Sequence, residues 1–227
     1  MIHAYDKIYL DSAQANLGTM LDVAVNEWGL ELKTFYEHFL KSICSLRFAK
    51  GDPGTIAGRS GIELGQDVLT ETLERCDLTD GEAEAADLRK LLDRPIDPPI
   101  NRSPEYWTGW AVAYYQWDTG ITFQRLDMEI PIERIRDLYH PYHETDIRQL
   151  VDEVNRIRRD RRLSSYLKLY RKQAGMTQQE LAQAAEVPVR TIQQYEQRQK
   201  NINNARSEYV ISMAAALGCE PADLLEI

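Results

Sequence analysis

The chain has 227 residues, 43% of them hydrophobic and 28% charged, a composition typical of globular proteins with one or two domains. No apolar run reaches the roughly 20 residues of a membrane span, and no secretory signal is visible, so we expect a cytoplasmic protein without membrane contact. The formal net charge of -9 argues against DNA binding by the surface as a whole, because DNA requires a positive surface.

The charge is unevenly distributed along the chain. Residues 1–155 carry 15 Lys and Arg against 28 Asp and Glu, whereas residues 156–206 carry 12 against 4. Ionic screening limits the reach of each charge to about 10 Å in ordinary salt. The local balance of +8 in residues 156–206 therefore predicts a segment that can bind a polyanion despite the balance of -13 before it.

The front part is predicted to be helical, with glycines and prolines marking the ends of its helices. The predicted helices cover residues 12–29, 31–51, 61–73, 81–93, 103–120, 131–139 and 145–162. Residues 94–104 hold four prolines and form the clearest internal joint. Ser60 and Glu63 predict a capping box, which favours a helix start over a phosphate-binding loop in the glycine-rich stretch before it.

Residues near the C-terminus predict two short helices joined by a tight corner, in the stretch MTQQELAQAAEVPVRTIQQYEQ, Met176–Gln197. Thr177 and Glu180 form a capping box for the first of these helices, and Pro188 begins the second. Ile192 and Tyr195 are predicted to hold the second helix against its neighbours. The apolar residues that we expect to supply the surrounding helices are Leu163, Leu167, Tyr170, Ile211, Met213, Ala215, Leu217, Leu224 and Leu225.

This pattern, with the later ISMAAALGCEPADLLEI, resembles the helix-turn-helix domain of the XRE (Cro/CI-like phage-repressor) family. The resemblance covers about residues 163–227, and one departure is Glu186, where the corner often has glycine. It implies that the second helix of the motif enters the major groove of double-stranded DNA. It also implies a homodimer on a pseudo-palindromic operator, because one short helix reads only a few bases.

The fold class that follows is all-α, since no stretch alternates as a half-buried strand does. We expect an acidic, helical, partner-binding or sensory domain over residues 1–155. Residues 156–227 are expected to form a five-helix, helix-turn-helix DNA-binding domain with a basic connector.

Two sets of residues are predicted to contact DNA. The base-reading set is the outward side of the second motif helix: Val189, Arg190, Gln193 and Gln194. The phosphate-binding set lies at the start of the first motif helix, on the helix before it and just after the motif: Gln178, Lys168, Arg171, Lys172, Arg198, Lys200 and Asn201. A glutamine-rich solvated face used for protein contacts is the less favoured alternative.

Four aromatic residues follow one another at helical spacing in the front part: Trp107, Trp110, Tyr114 and Trp117. We favour burial or a protein interface for them over a small-molecule pocket. His140, His143 and Glu144 lie close together, but no further ligand cluster accompanies them in the sequence, so we predict neither a metal site nor a cofactor. The three cysteines form no CxxC pair, which favours reduced thiols.

Three segments of the front part, beginning YDKIYLDSAQ, GDPGTIAGRS and YWTGWAVAYY, resemble bacterial regulators of antitoxin-type operons. This resemblance implies a transcriptional repressor whose front domain neutralises a toxin-like protein. The alternative is a ligand-responsive repressor with a metabolite in an aromatic pocket. An enzyme fused to a DNA-binding tail is the least favoured hypothesis, because no catalytic set of residues is visible, and we predict that the chain is not an enzyme.

Overall fold

The computed structural model describes residues 3–78, 82–92, 96, 103–161 and 165–226. Every regular element in these ranges is a helix, which confirms the prediction of an all-α fold. The chain folds into two compact units, Met1–Asn155 and Arg156–Ile227. Among the described helices, none combines the length and apolar character that a membrane span requires.

The N-terminal unit begins with a 3-10 turn at Lys7–Tyr9 and contains eleven α-helices within the described residues. They are α1 (Leu10–Asp22), α2 (Leu32–Lys41), α3 (Ile43–Ala49), α4 (Pro53–Ile56), α5 (Gly61–Leu78), α6 (Glu82–Leu92), α7 (Pro104–Thr119), α8 (Phe123–Glu129), α9 (Ile132–Asp137), α10 (Tyr139–Tyr142) and α11 (Ile147–Arg161), which continues past the unit boundary. Most of the proline-rich joint predicted near residues 94–104 lies outside the described residues.

Helix α1 lies at the centre of this unit, against α7 and α5. The crossing with α7 is close because glycines occur on both helices. A Cβ atom added to Gly109 would lie 2.3 Å from the backbone oxygen of Leu17, and one added to Gly18 would lie 2.9 Å from that of Tyr106. Only hydrogen atoms fit at these positions, so the glycines fix how near the two backbones approach.

Several predicted helix ends are confirmed, because they depend on side chains close in sequence. Ser103 caps α7 by accepting a hydrogen bond from the backbone N–H of Tyr106, and Gly120 ends that helix in the left-handed conformation. Ser60 and Glu63 form the predicted capping box at the start of α5. The first helix, however, begins at Leu10 rather than at Ser12, and it is followed directly by a π-helical segment over Val23–Glu27.

The prediction of one continuous helix over residues 31–51 is wrong, because the chain breaks at Ser42. Ser42 has an extended backbone, and its hydroxyl accepts a hydrogen bond from the N–H of Ser45 and donates one to the carbonyl of Phe39. The side chain thereby replaces helical hydrogen bonds on both sides of the break. Glu71, on α5, accepts a further hydrogen bond from the N–H of Ile43 over 2.7 Å.

The C-terminal unit contains four α-helices and two 3-10 turns within the described residues. The helices are α12 (Tyr166–Gln173), α13 (Gln178–Ala184), α14 (Val189–Glu196) and α15 (Ser207–Leu217), and the turns are Ile202–Asn204 and Pro221–Leu224. The fifth helical element of the predicted bundle is thus the short turn at Pro221–Leu224. Leu163, which we expected in the first helix, lies outside the described residues.

On α15 Met213 is buried as predicted, but its buried neighbours are Val210 and Ala214 rather than Ile211 and Ala215. Val210, Met213 and Ala214 are buried, whereas Ile211 is 56% exposed. The buried side chains are three and four positions apart, as one face of a helix requires. The apolar sequence of this helix offers two such faces, and the packing against α13 and against the Pro221–Leu224 turn determines which one is inside.

Candidate nucleic-acid interface

The corner between α13 and α14 is built by local hydrogen bonds. Thr177 and Glu180 form the predicted capping box at the start of α13, with the N–H of Thr177 donating to Glu180 Oε2 over 2.7 Å. The N–H of Val187 donates to the carbonyl of Ala182, which closes the end of α13. Glu186, between them, has a φ of 54°. The corner therefore requires the left-handed backbone conformation, and this chain adopts it with a residue other than glycine.

Helix α14 has two chemically distinct sides. Ile192, Tyr195 and Glu196 are buried, three and four positions apart, and the first two are the anchors expected from the sequence. Arg190 is exposed, and Gln193, Gln194 and Val189 are partly exposed. All four predicted base-reading residues thus retain solvent-accessible surface, and they occupy the first two turns of the helix.

Arg171, predicted to bind phosphate, instead lies inside the unit. Its Nε donates to Glu196 Oε1 over 2.5 Å, and its Nη2 donates to Glu196 Oε2 over 2.9 Å. A third hydrogen bond runs from Nη1 to the carbonyl of Met176 over 2.7 Å. Arg171 therefore joins α12, the start of the motif and the end of α14. We remove it from the phosphate-binding set for that reason.

Gln178 connects this buried ion pair to the outward side of α14. Its Nε2 donates to Glu196 Oε2 over 2.7 Å, and its Oε1 lies 3.5 Å from Nε2 of Gln193. A primary amide has two N–H donors, so one donor of Gln178 remains for a phosphate. The contacts also orient the Gln193 amide, with its nitrogen toward Gln178.

The pKa of Glu196 depends on its burial and on the hydrogen bonds that it accepts. Burial disfavours its charged form, but the hydrogen bonds from Arg171 and Gln178 outweigh burial and hold the pKa of Glu196 below its ordinary value. The hydrogen bonds that Arg171 donates to Glu196 raise the pKa of Arg171, against the effect of desolvation. Both groups are therefore charged at neutral pH.

The other predicted phosphate-binding residues lie in different settings. Lys172 and Lys200 are exposed, and Lys168 is partly exposed. Arg198, at the end of α14, donates from Nη2 to Glu226 Oε2 over 3.0 Å, and Asn201 accepts a hydrogen bond from the N–H of Asn203. The lysines are thus placed as exposed cations, whereas Arg198 and Asn201 also hold the chain after α14.

Two residues with a structural role in this unit were missed by the sequence analysis. Glu196 anchors Arg171, and the only signal for it was its place after Tyr195 in the Ile-x-x-Tyr-Glu pattern. Glu226 accepts hydrogen bonds from the backbone N–H of Tyr166 and from Arg198, and its backbone pairs with the side chain of Asn203. These contacts join residues 23 to 60 positions apart, so no local pattern reveals them.

The predicted aromatic stripe on α7 is divided between different environments in the N-terminal unit. Trp117 is buried, stacks on His3 with 3.8 Å between ring centroids, and donates from Nε1 to the carbonyl of Tyr5. Tyr114 packs against Trp117. Trp107 and Trp110 instead line a cavity of about 270 Å³, which does not include Trp117.

Comparison with known families matches residues 167–224 to the helix-turn-helix family, within the C-terminal unit. This match confirms the XRE-type resemblance stated for the same stretch. A search of curated proteins and a search of solved structures each gave no match.

The geometry and the family match together define the class of the C-terminal unit. It is a helix-turn-helix domain of the kind found in DNA-binding transcription regulators. Its motif consists of α13, the corner at Glu186 and α14.

Proposed function

We propose that this protein is a sequence-specific transcriptional repressor that reads operator DNA with α14. The observation that carries the proposal is the division of α14 into a buried side and an accessible polar side. In helix-turn-helix proteins the N-terminal residues of this helix contact base edges. Arg190 is suited to guanine, Gln193 and Gln194 to adenine, and Val189 to a thymine methyl group.

The phosphate contacts are assigned to residues flanking the reading helix. Gln178 lies at the start of α13, where backbone N–H groups and the helix dipole favour an anion. Lys172 and Lys200 supply exposed positive charge, Lys168 is partly exposed, and Arg198 and Asn201 extend this set after α14. These contacts fix the position of the protein on the duplex and carry no sequence information themselves.

The functional form is proposed to be a homodimer. One reading helix contacts only a few base pairs, so two copies on half-sites about 34 Å apart supply the specificity of an operator. An inverted-repeat operator is the expected DNA partner.

For the N-terminal unit, we propose the role of an antitoxin that neutralises a protein partner. The support is the resemblance of its sequence to antitoxin-type regulators and the charge balance of -13 over residues 1–155. An acidic surface attracts a basic partner and speeds their encounter.

The alternative for this unit is a sensor of a small molecule. The cavity beside Trp107 and Trp110 supports it, because small-molecule sites are concave and lined mainly by apolar and aromatic side chains. Under this alternative the ligand changes operator affinity, and no protein partner is needed.

DNA reading is tested with the double variant Arg190→Ala plus Gln194→Ala in the full chain. Operator fragments are taken from the DNA upstream of the gene, and affinity is measured by fluorescence anisotropy at fixed salt. We expect at least about a thirtyfold loss of specific affinity, since each of the two base contacts contributes about 1–3 kcal/mol. The helical circular-dichroism signal should be unchanged.

The matched control is Arg134→Ala plus Gln66→Ala, which removes the same residue types from helices of the N-terminal unit. This control should bind the operator as the wild-type protein does. Equal operator affinity of the α14 variant and the control would refute the assignment of α14 as the reading helix.

The antitoxin role is tested with the neighbouring gene. Its expression alone should arrest growth, and co-expression of the α14 double variant should restore growth without repressing transcription. Failure of this variant to restore growth, when the wild-type chain does, would show that neutralisation depends on DNA binding. If the neighbouring gene is harmless, the sensor alternative replaces the antitoxin role.

A further inference from the structure

The cavity beside α7 is walled by aromatic rings. Six of its nine lining residues carry rings: Tyr106, Trp107, Trp110, Tyr139, Tyr142 and His143. All except His143 are partly buried, so ring surface remains open to an occupant. At about 270 Å³ the cavity is smaller than the roughly 300–1,000 Å³ of drug-sized ligand pockets. Its occupant is therefore a small molecule.

The rings on one side of the cavity are held in place by one another. Trp107 meets Tyr139 edge-on, with 5.6 Å between centroids, and Tyr139 stacks on His143 at 4.3 Å. The Nδ1 atom of His143 lies 3.0 Å from the carbonyl oxygen of Tyr139 and 3.3 Å from that of His140. These contacts join the rings to one another and hold this wall of the cavity in place.

The polar surroundings favour a cation over an anion. Within the described part of the chain, no Lys or Arg side chain lines this cavity. Ser103, which does line it, donates its hydroxyl hydrogen to Oδ1 of Asp22. The Asp22 carboxylate is 1% exposed, and its Oδ2 has no hydrogen-bond partner among the described residues. A buried carboxylate thus lies directly behind one wall of the cavity.

The N-terminus of α7 offsets part of this negative charge. Ser103 caps that helix, whose positive end carries about half an elementary charge. The Asp22 carboxyl group contacts the cavity wall through Ser103, and an acidic group at this place favours a cation over an anion.

Aromatic walls, the Asp22 carboxyl group behind one of them and the absence of lining cations among the described residues together select one class of ligand. We propose that the cavity binds a small organic cation of the methylated or quaternary ammonium class, held against the faces of Trp107 and Trp110. Tryptophan is the best partner for cation–π attraction, and aromatic cages recognise quaternary ammonium groups in this way. The inference concerns binding alone and holds whether or not the ligand changes operator affinity.

The test uses choline as the probe and 3,3-dimethylbutan-1-ol as its neutral isostere. The two molecules have nearly the same shape and differ in the charge at the central atom. Isothermal titration of the full-length protein should show choline binding at least tenfold more tightly than the neutral alcohol. Tenfold corresponds to about 1.4 kcal/mol, within the range of a desolvated cation–π contact.

Four variants localise the site. Trp110→Leu should abolish choline binding, whereas Trp110→Phe should retain part of it, because Phe keeps an aromatic face. Tyr114→Phe, on the same helix but outside the cavity, should bind choline as the wild-type protein does. Asp22→Asn should weaken choline several-fold and leave the neutral alcohol unaffected.

Other outcomes overturn the proposal. Equal affinity for choline and the alcohol would show a merely apolar pocket, and choline binding by Trp110→Leu as tight as by the wild-type protein would place the site elsewhere. No heat of binding at tens of millimolar choline would exclude a cation site. If a protein co-purifies with the wild-type chain but not with Trp110→Leu, and choline does not bind, the rings form a protein interface instead.

Discussion

Arg171 and Glu196 form a buried two-point ion pair that joins α12 to the end of the reading helix α14, with donor–acceptor distances of 2.5 and 2.9 Å. The Arg171 side chain is 11% exposed and that of Glu196 is 2% exposed. The same Glu196 carboxylate accepts a hydrogen bond from Gln178, which in turn contacts Gln193. The orientation of a proposed base-reading side chain is thus coupled to an ion pair buried inside the domain.

Replacement of Glu196 by Gln should destabilise the C-terminal unit by about 3 kcal/mol, because Arg171 then keeps a buried charge without its counter-ion. All four tryptophans lie in the N-terminal unit, so fluorescence does not report on this change. Hydrogen exchange of the α12 and α14 backbone amides does report on it. The protection of these amides from exchange should fall in Glu196→Gln.

The matched control for this exchange experiment is Glu208→Gln, an exposed carboxylate in the first turn of α15. It loses only a favourable interaction with the helix dipole, less than about 1 kcal/mol. Equal protection of α14 in the two variants would contradict a stabilising role for the Arg171–Glu196 pair.

Replacement of Glu186 by Gly should stabilise the C-terminal unit rather than destabilise it. A side chain in the left-handed conformation costs about 1 kcal/mol, which glycine avoids. Glycine has more freedom in the unfolded chain, so the net gain from Glu186→Gly should be about 0.5 kcal/mol. Glu186→Gln removes the charge but keeps the strained φ, and it should leave stability unchanged. Pulse proteolysis in urea distinguishes Glu186→Gly from Glu186→Gln. Equal unfolding midpoints for the two variants would show that the corner is not strained.

The sequence predicted those features that depend on residues close in the chain. The capping boxes at Thr177 and Ser60 involve partners three residues away, and Ile192 and Tyr195 follow the period of the helix. The departure at Glu186 was visible because the family resemblance places glycine there. The structure supplied the φ of 54°, which decides that the corner does need the left-handed conformation.

Features that depend on distant partners could not be predicted. Arg171 had the residue type of a phosphate ligand, and its role depends on Glu196, 25 positions away. The break at Ser42 is reinforced by Glu71, 28 positions beyond Ile43. Likewise Trp107 and Trp117 share a stripe on α7, but Tyr139 packs on one and His3 on the other.

The close crossing of α1 and α7 makes Gly109 intolerant of a side chain. In Gly109→Ala, the added Cβ would lie 2.3 Å from the Leu17 carbonyl oxygen, and backbone atoms cannot move aside as a flexible side chain can. We expect a loss of about 3 kcal/mol, at the upper end for overpacked cores. Tryptophan fluorescence in urea measures it, since Trp107 and Trp110 lie on α7.

Gly54→Ala is the control for the helix crossing. A Cβ at Gly54 meets nothing closer than the Asp52 carboxylate at 3.4 Å, and the residue lies within the short helix α4. Alanine favours helix over glycine by up to about 1 kcal/mol, so this variant should be as stable as the wild-type protein or more so. If both glycine variants lose stability equally, the backbone clash at Gly109 is not the cause.

Asp127 should give the N-terminal unit an unusual pH dependence. Burial, reinforced by the nearby Glu133 and Glu37, raises the pKa of Asp127 to about 6, although it accepts a hydrogen bond from the N–H of Ile132. In the unfolded chain the Asp127 carboxyl group has a pKa near 3.9. Between about pH 4 and 6 the folded state therefore binds more protons than the unfolded state. Rising pH lowers the free energy of unfolding through this window. Asp127→Asn keeps an acceptor for Ile132 without the charge and should gain about 2 kcal/mol at pH 7.5. Urea unfolding followed by tryptophan fluorescence should show that gain shrinking toward pH 4, and a gain independent of pH would rule out titration of Asp127 as its origin.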